Sequence, residues 1–316
     1  MSQSPINLLV RKIRDHVNKP WKHYWLRQNK AMFSQLCSSM DMIDDADYAI
    51  RAFEVGEFPE SKPSLYLATV GVLQALIVQQ DAVFHLAEAL GYNYSIKKYP
   101  DLIEIRNIRH QSVGHPTKKE RPKSSATSYN HIIQISLTKH SFELLSFMED
   151  GNIKHSYIDL QSEISRQTKN LSDILSEILE KLEAEEMEHK KRFQEEKLSL
   201  LLNRSISYHS DKIVEAAYLD NEPQFGLINL KTIIKIVHTF RDSIKERDME
   251  LFESLDHEYE IFDYLEYQLS SFFQARIDDA EPPIDQLGIE IFAKSLRQQI
   301  WQLIELADHI DAEYEE

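Results

Sequence analysis

Arg109, His110 and His115 are the residues in this sequence whose types and spacing could support catalysis. Arg109 and His110 are adjacent, and His115 follows Arg109 after five intervening residues. Histidine transfers protons near neutral pH, and the planar arginine fork binds phosphate oxygens in pairs. Attack of a ribose 2′-hydroxyl on its own phosphate needs proton transfer and stabilisation of negative charge. The three residues could therefore cleave RNA without a metal ion.

The sequence around these residues resembles the HEPN superfamily, whose ribonuclease members carry an arginine, a polar residue and, a few positions later, a histidine. Residues 105–116 read IRNIRHQSVGHP. The resemblance covers about residues 1–150. It implies an all-helical domain that acts as a homodimer with both motifs at the interface. It further implies that Arg109 stabilises the phosphate, that His115 acts as acid and base, and that His110 orients the phosphate or a partner group.

The same residues could instead do no more than end a helix. Arg109 and His110 would then interact with the last carbonyl groups, and Gly114 would cap the helix. Pro116 disfavours a helical conformation at residue 115. On a straight helix Arg109 and His115 would point about 120° apart. A break near Gly114, or a second protomer, is therefore needed to bring the two side chains together.

A local basic patch surrounds the motif. Residues 97–123 contain eight lysines and arginines and three acids, whereas residues 151–316 carry a net charge of -18. A basic patch in an acidic protein predicts an anion site, although a solvated basic loop would have the same composition. The predicted RNA- or phosphate-binding residues are Arg106, Asn107, Lys118, Lys119, Arg121 and Lys123.

Composition excludes several classes of protein. The 316 residues include seven glycines, too few for a nucleotide-binding sheet fold with glycine-rich loops. The single cysteine, Cys37, excludes a disulfide framework and a cysteine-rich zinc module. The longest apolar stretch, near residues 65–78, is interrupted by polar residues and is predicted to be too short to span a bilayer. We expect a cytoplasmic protein with no membrane association, cofactor or metal ion.

Hydrophobic periodicity predicts a mainly α-helical fold. Helices are expected over 5–19, 21–55, 64–90 and 100–114, and alternation predicts strands over 131–138, 141–148 and 153–159, with a hairpin turn at 149–152. A short helix over 141–148 is the alternative. The predicted segments are a HEPN-like helical bundle (1–130), a small antiparallel β element (131–159), a long helical connector (160–222) and a C-terminal helical region (223–316).

Two further groups of polar residues are ambiguous in the sequence. Gln79, Gln80 and Asp81 interrupt the most apolar helix, where they could orient the motif helix or form an edge that faces solvent. Glu186 and His189 match half of a di-iron motif, but their highly charged surroundings predict a solvated helix face.

The sequence predicts a metal-independent endoribonuclease that cleaves RNA, and the resemblance to the HEPN superfamily implies a role as a toxin or defence effector. We expect a homodimer, and the acidic half could bind a regulatory protein partner. One alternative is a non-catalytic helical scaffold that binds RNA, a nucleotide or another protein. Another is a toxin that is disarmed by modification near its motif.

Overall fold

The computed structural model describes residues 4–56, 61–114, 116, 128–202, 204–219, 222–249 and 253–315. These residues are mainly helical and include a three-stranded antiparallel sheet, which confirms the predicted fold class at this level. The chain divides into two compact units. The first contains Met1–Asn18 and Leu26–Glu183, and the second contains Lys19–Trp25 and Ala184–Glu316. The four predicted segments and the HEPN-like character of the bundle stay predictions.

Among the described residues, the first unit contains six α-helices, two of them only in part. They are α1 (Pro5–Val17), the end of α2 (Pro20–Arg27), α3 (Lys30–Val55), α4 (Lys62–Ala89), α5 (Pro100–Arg109) and most of α6 (Leu160–Phe193). The Asn29 side chain accepts a hydrogen bond from the Met32 amide at 3.2 Å and so caps α3. The prediction of one helix over 21–55 is therefore wrong. Gly91 follows the end of α4 with φ +79°, the left-handed conformation that favours glycine after a helix.

Strands β1 (Ser128–Ile132), β2 (Ser141–Met148) and β3 (Ile153–Asp159) form the sheet in that order. The turn between β2 and β3 contains Gly151 at φ +82°, which confirms the predicted hairpin. The helical alternative for 141–148 is wrong because Phe142 and Leu144 alternate into the core. The predicted strand over 131–138 is wrong beyond Ile132, since a 3-10 turn follows at Gln134–Ser136.

Helix α4 provides the centre of the first unit. Its N-terminal half packs with α5 and the sheet through Leu73, Leu76, Ile105 and Phe142. By length and composition alone the 28-residue helix could cross a membrane, so the prediction that its apolar stretch is too short is wrong. Half of its most apolar window is buried inside the protein. The absence of membrane association stays a prediction.

The second unit is an all-helical bundle. It contains the end of α6, then α7 (Leu198–Leu201), α8 (Arg204–Leu219), α9 (Pro223–Glu246), α10 (Glu253–Ile277) and α11 (Gln286–Glu315). The long helical connector predicted over 160–222 is one continuous helix only as far as Phe193, because the chain turns after this residue. Both carboxylate oxygens of Asp311 accept amide hydrogen bonds at 2.8 Å, from Leu198 and Ser199, and so cap α7.

Candidate functional site

The candidate motif lies where α5 changes its helical pitch. Arg109 is the last residue of α5, and a π-helical turn follows at His110–Gly114. Such turns are frequent at functional sites, because the wider turn redirects the side chains that follow it. Arg109 is partly exposed and His110 is exposed. His115 lies outside the described residues, as do Lys118, Lys119, Arg121 and Lys123.

Neutral groups hold the Arg109 guanidinium. Its Nη2 donates a hydrogen bond of 2.8 Å to Oε1 of Gln74 on α4. Its Nη1 lies against Gly114, so close that an added Cβ at this glycine would stand 2.8 Å away. The buried Nε has no hydrogen-bond partner, and among the described residues no carboxylate forms an ion pair with Arg109. No described carboxylate therefore cancels this positive charge, which can attract an anion.

Arg106 has a different environment from Arg109. Its Nε donates to Oε1 of Gln80 at 2.8 Å, and its Nη2 forms an ion pair with Asp81. Gln80 and Asp81 of α4 therefore hold α5 in place. For these two residues, this confirms the possibility that they orient the motif helix. The solvent-edge alternative is wrong for Gln80, whose side chain is fully buried. Arg106, one of the predicted phosphate-binding residues, already has an anionic partner within the protein.

Gln167 on α6 completes this buried network, and the sequence analysis missed it. Its Nε2 donates to the Leu76 carbonyl and to Oε1 of Gln79, each at 3.0 Å. Its Oε1 accepts from Gln80 at 2.7 Å. Buried polar groups require such partners, so the three amides fix α4 against α6. The position of Gln167 between Ile164 and Leu171, on the apolar stripe of α6, indicates a buried polar residue.

The two acids of α5 contact a shared arginine, Arg166 of α6, on its other side. Arg166 contacts Glu104 at 2.9 Å and Asp101 at 3.4 Å, and it also pairs with Glu163. Burial raises the pKa of Glu163, although Arg166 opposes this effect. Burial would lower the pKa of Arg166, but hydrogen bonds with Glu163 and Glu104 raise it. The acids of α5 are thus occupied by Arg166, while Asn107, another predicted phosphate contact, lies exposed on the same helix.

In the second unit, the predicted solvated helix face at Glu186 and His189 is wrong. Glu186 is buried and forms ion pairs with Lys19 and Lys190. The His189 ring stacks on Trp21 with centroids 4.4 Å apart, and its Nε2 lies 3.3 Å from the Arg247 carbonyl. Burial lowers the pKa of His189. The described residues contain no group of three or more His, Cys, Asp or Glu that could hold a metal ion.

Comparisons of the chain with protein-family models, with curated proteins and with solved structures find no match. The resemblance to the HEPN superfamily therefore rests on residues 105–116 and on their helical setting.

Proposed function

We propose that this protein is a metal-independent endoribonuclease of the HEPN type. The observation that carries the proposal is the setting of Arg109. Its guanidinium is held by the neutral amide of Gln74 beside the exposed His110, and no described carboxylate cancels its charge. A cation positioned in this way stabilises the negative charge that develops on a phosphate during cleavage. The paired Arg106 provides no such free charge but fixes the helix that presents Arg109.

The reaction assigned to this site is internal transfer of the RNA phosphate. The 2′-oxygen forms a bond to phosphorus, and the bond from phosphorus to the 5′-oxygen of the next nucleotide breaks. His115 accepts the proton of the 2′-hydroxyl and later returns a proton to the leaving oxygen, while His110 orients the phosphate. The products are a 2′,3′-cyclic phosphate and a free 5′-hydroxyl. Because the nucleophile is the 2′-hydroxyl, DNA is not a substrate.

The proposed assembly is a homodimer with a shared RNA cleft. Two copies would supply Arg109 and His115 to one site, as the resemblance to the HEPN superfamily implies. Residues 151–316, with their net charge of -18, would repel RNA and are available to bind a basic regulatory protein. A monomer at micromolar concentration in sedimentation analysis would contradict the dimer.

RNA cleavage in EDTA tests the proposed activity. Purified wild type is incubated with labelled single-stranded RNA beside Arg109→Ala and His115→Ala. The matched controls are Arg11→Ala, which removes an exposed arginine of α1, and His85→Ala, which removes an exposed histidine of α4. We expect both motif variants to lose about a hundredfold or more in rate, and both controls to cleave like wild type.

The same assay has outcomes that contradict the proposal. RNA left intact by an excess of wild type would favour the non-catalytic scaffold, in which case Arg109→Ala should still weaken RNA binding. Cleavage of RNA whose 2′-hydroxyls are methylated would exclude the 2′-hydroxyl as nucleophile. Equal activity of wild type and Arg109→Ala would remove Arg109 from the reaction.

A further inference from the structure

A cavity of about 870 Å³ lies in the first unit beside the π-helical turn. It is lined by the first turns of α4, by Ser112 of the π-helical turn, by Pro116 and by residues of β1 and the following turn. This volume falls within the range of sites that bind small organic molecules. The cavity is therefore large enough for a nucleobase with its sugar.

The cavity is adjacent to the candidate catalytic residues. Val70 lines it, and Gln74, the partner of Arg109, lies one helical turn further along the same face of α4, about 6 Å away. On the other wall, Ser112 and Pro116 come shortly before and immediately after His115 in the chain. A ligand in the cavity could therefore extend to Arg109.

The lining favours an aromatic ligand that carries negative charge. Among the described residues it contains no carboxylate, and Lys62 adds a cation at the start of α4. Leu67 and Val70 provide apolar contacts, and the Tyr66 ring is 43% exposed and can stack on a flat ring. Apolar walls with a few polar groups and a cation fit a base that is attached to a phosphate.

Asn130 provides a specific polar contact in this lining. The residue is only 5% exposed, and its Oδ1 accepts no hydrogen bond from the residues that the structure describes. Among the described residues, its Nδ2 makes long contacts with Ser128 alone, of 3.3 Å to the hydroxyl and 3.4 Å to the carbonyl oxygen. A buried acceptor without a donor costs free energy. Rotation of this amide would present its oxygen to an N–H group of a base in the cavity.

We infer that the cavity is a base-binding subsite for the nucleotide next to the cleaved phosphate. The inference rests on the proposed ribonuclease function, and it adds that cleavage depends on the base at that position. Base contacts of this kind, through stacking and edge hydrogen bonds, are how proteins read single-stranded RNA. The polar groups assigned to the base edge are Ser112, Asn130 and Gln134.

Calorimetric titration of the full chain with 5′-AMP, 5′-CMP, 5′-GMP and 5′-UMP tests the subsite. We expect saturable binding of at least one nucleotide. Tyr66→Ala removes the stacking ring, and Leu67→Glu places a carboxylate at a side chain that is 72% exposed, where folding tolerates it. Each should raise Kd about tenfold. The matched controls Tyr48→Ala and Leu287→Glu, at side chains 64% and 66% exposed, should leave Kd unchanged.

Cleavage assays separate this inference from the proposed function. If the subsite exists, Tyr66→Ala lowers the cleavage rate at the preferred base and so changes the base preference at the cut site. Nucleotide binding that depends on Tyr66 and Leu67, in a protein that cleaves no RNA, would support the subsite and contradict the nuclease. Cleavage that depends on Arg109, with no nucleotide binding and no change of preference in Tyr66→Ala, would overturn the subsite and leave the nuclease standing.

Discussion

The Arg109 guanidinium lies directly over Gly114. An added Cβ at Gly114 would stand 2.8 Å from Nη1 and 3.4 Å from Cζ of Arg109, closer than side chains normally approach. Gly114 has no positive φ, so its importance is the space that it leaves and not its backbone conformation. The motif glycine and the motif arginine thus depend on each other: without a side chain at position 114, Arg109 can lie along the π-helical turn and reach Gln74.

Gly114→Ala should therefore lower RNA cleavage while the stability of the protein changes little. The atom that must move is the far end of a flexible side chain, and alanine is the better helix former, so we expect the free energy of unfolding to change by less than about 1 kcal/mol. Displacement of the guanidinium should lower RNA cleavage about tenfold or more. Denaturant unfolding and the cleavage assay measure the two effects. A large loss of stability with unchanged activity would contradict the role given to this contact.

Gln74→Glu should cancel the positive charge of Arg109 while the arginine itself stays in place. Gln74 is exposed on α4, so the fold should tolerate the change, and the new carboxylate would lie within reach of the guanidinium. We expect weaker RNA binding, measured by fluorescence anisotropy, and slower cleavage. The control Gln28→Glu adds the same charge at another exposed position. Equal losses in both variants would mean that net charge, and not Arg109, determines RNA affinity.

Arg106→Met should mainly destabilise the protein. The substitution removes the donor for the buried Gln80 amide oxygen and the partner of Asp81. Loss of a partner for a buried polar group costs about 1–3 kcal/mol. We expect a lower denaturation midpoint than in the control Arg27→Met, at an exposed arginine. A variant as stable as wild type would show that this network does not hold α5 in place.

Gly226→Ala should destabilise the second unit. An added Cβ would stand 2.6 Å from the Phe273 ring and 3.1 Å from the Ala216 Cβ, within the packed core. Overpacking of this kind costs about 1–3 kcal/mol. Gly71→Ala is the matched control in α4, where a Cβ meets nothing within 4 Å, and it should stabilise by about 0.5–1 kcal/mol. Equal effects of the two variants in thermal unfolding would contradict this description of the packing.

His189 should make stability depend on pH. Burial lowers its pKa in the folded protein below the ordinary value of 6.5. The unfolded chain therefore binds the proton more readily, so this residue's contribution to stability falls as pH drops through 6.5 towards the lowered pKa. His189→Phe keeps an aromatic ring against Trp21 and cannot be protonated. We expect wild type to lose more stability than the variant between about pH 8 and about pH 5.5 in denaturant unfolding. Equal losses would contradict the assignment.

Much of the local structure could be predicted from the sequence. The apolar period gave α1 and α4 nearly to their ends and the start of α5, although α5 changes to a π-helical turn after Arg109. The glycines at 91 and 151 mark a helix end and a hairpin turn, because these signals depend on neighbouring residues alone. Breaks without a glycine or proline were missed. The chain turns at Asn29 and after Phe193, where side-chain capping and packing of later helices, not backbone propensity, end the helix.

The sequence by itself determined the chemistry that is available in the motif: a fixed cation at Arg109 next to proton-transfer groups, in a locally basic segment of an acidic chain. Only the tertiary structure decided which of the two arginines has a carboxylate partner among the described residues. Arg106 and Arg109 are indistinguishable by type and lie one turn apart, yet Arg106 meets Asp81 and Arg109 meets Gln74. Periodicity fixes the side of a helix that a residue occupies, but its partner depends on the register between packed helices, which no local pattern encodes.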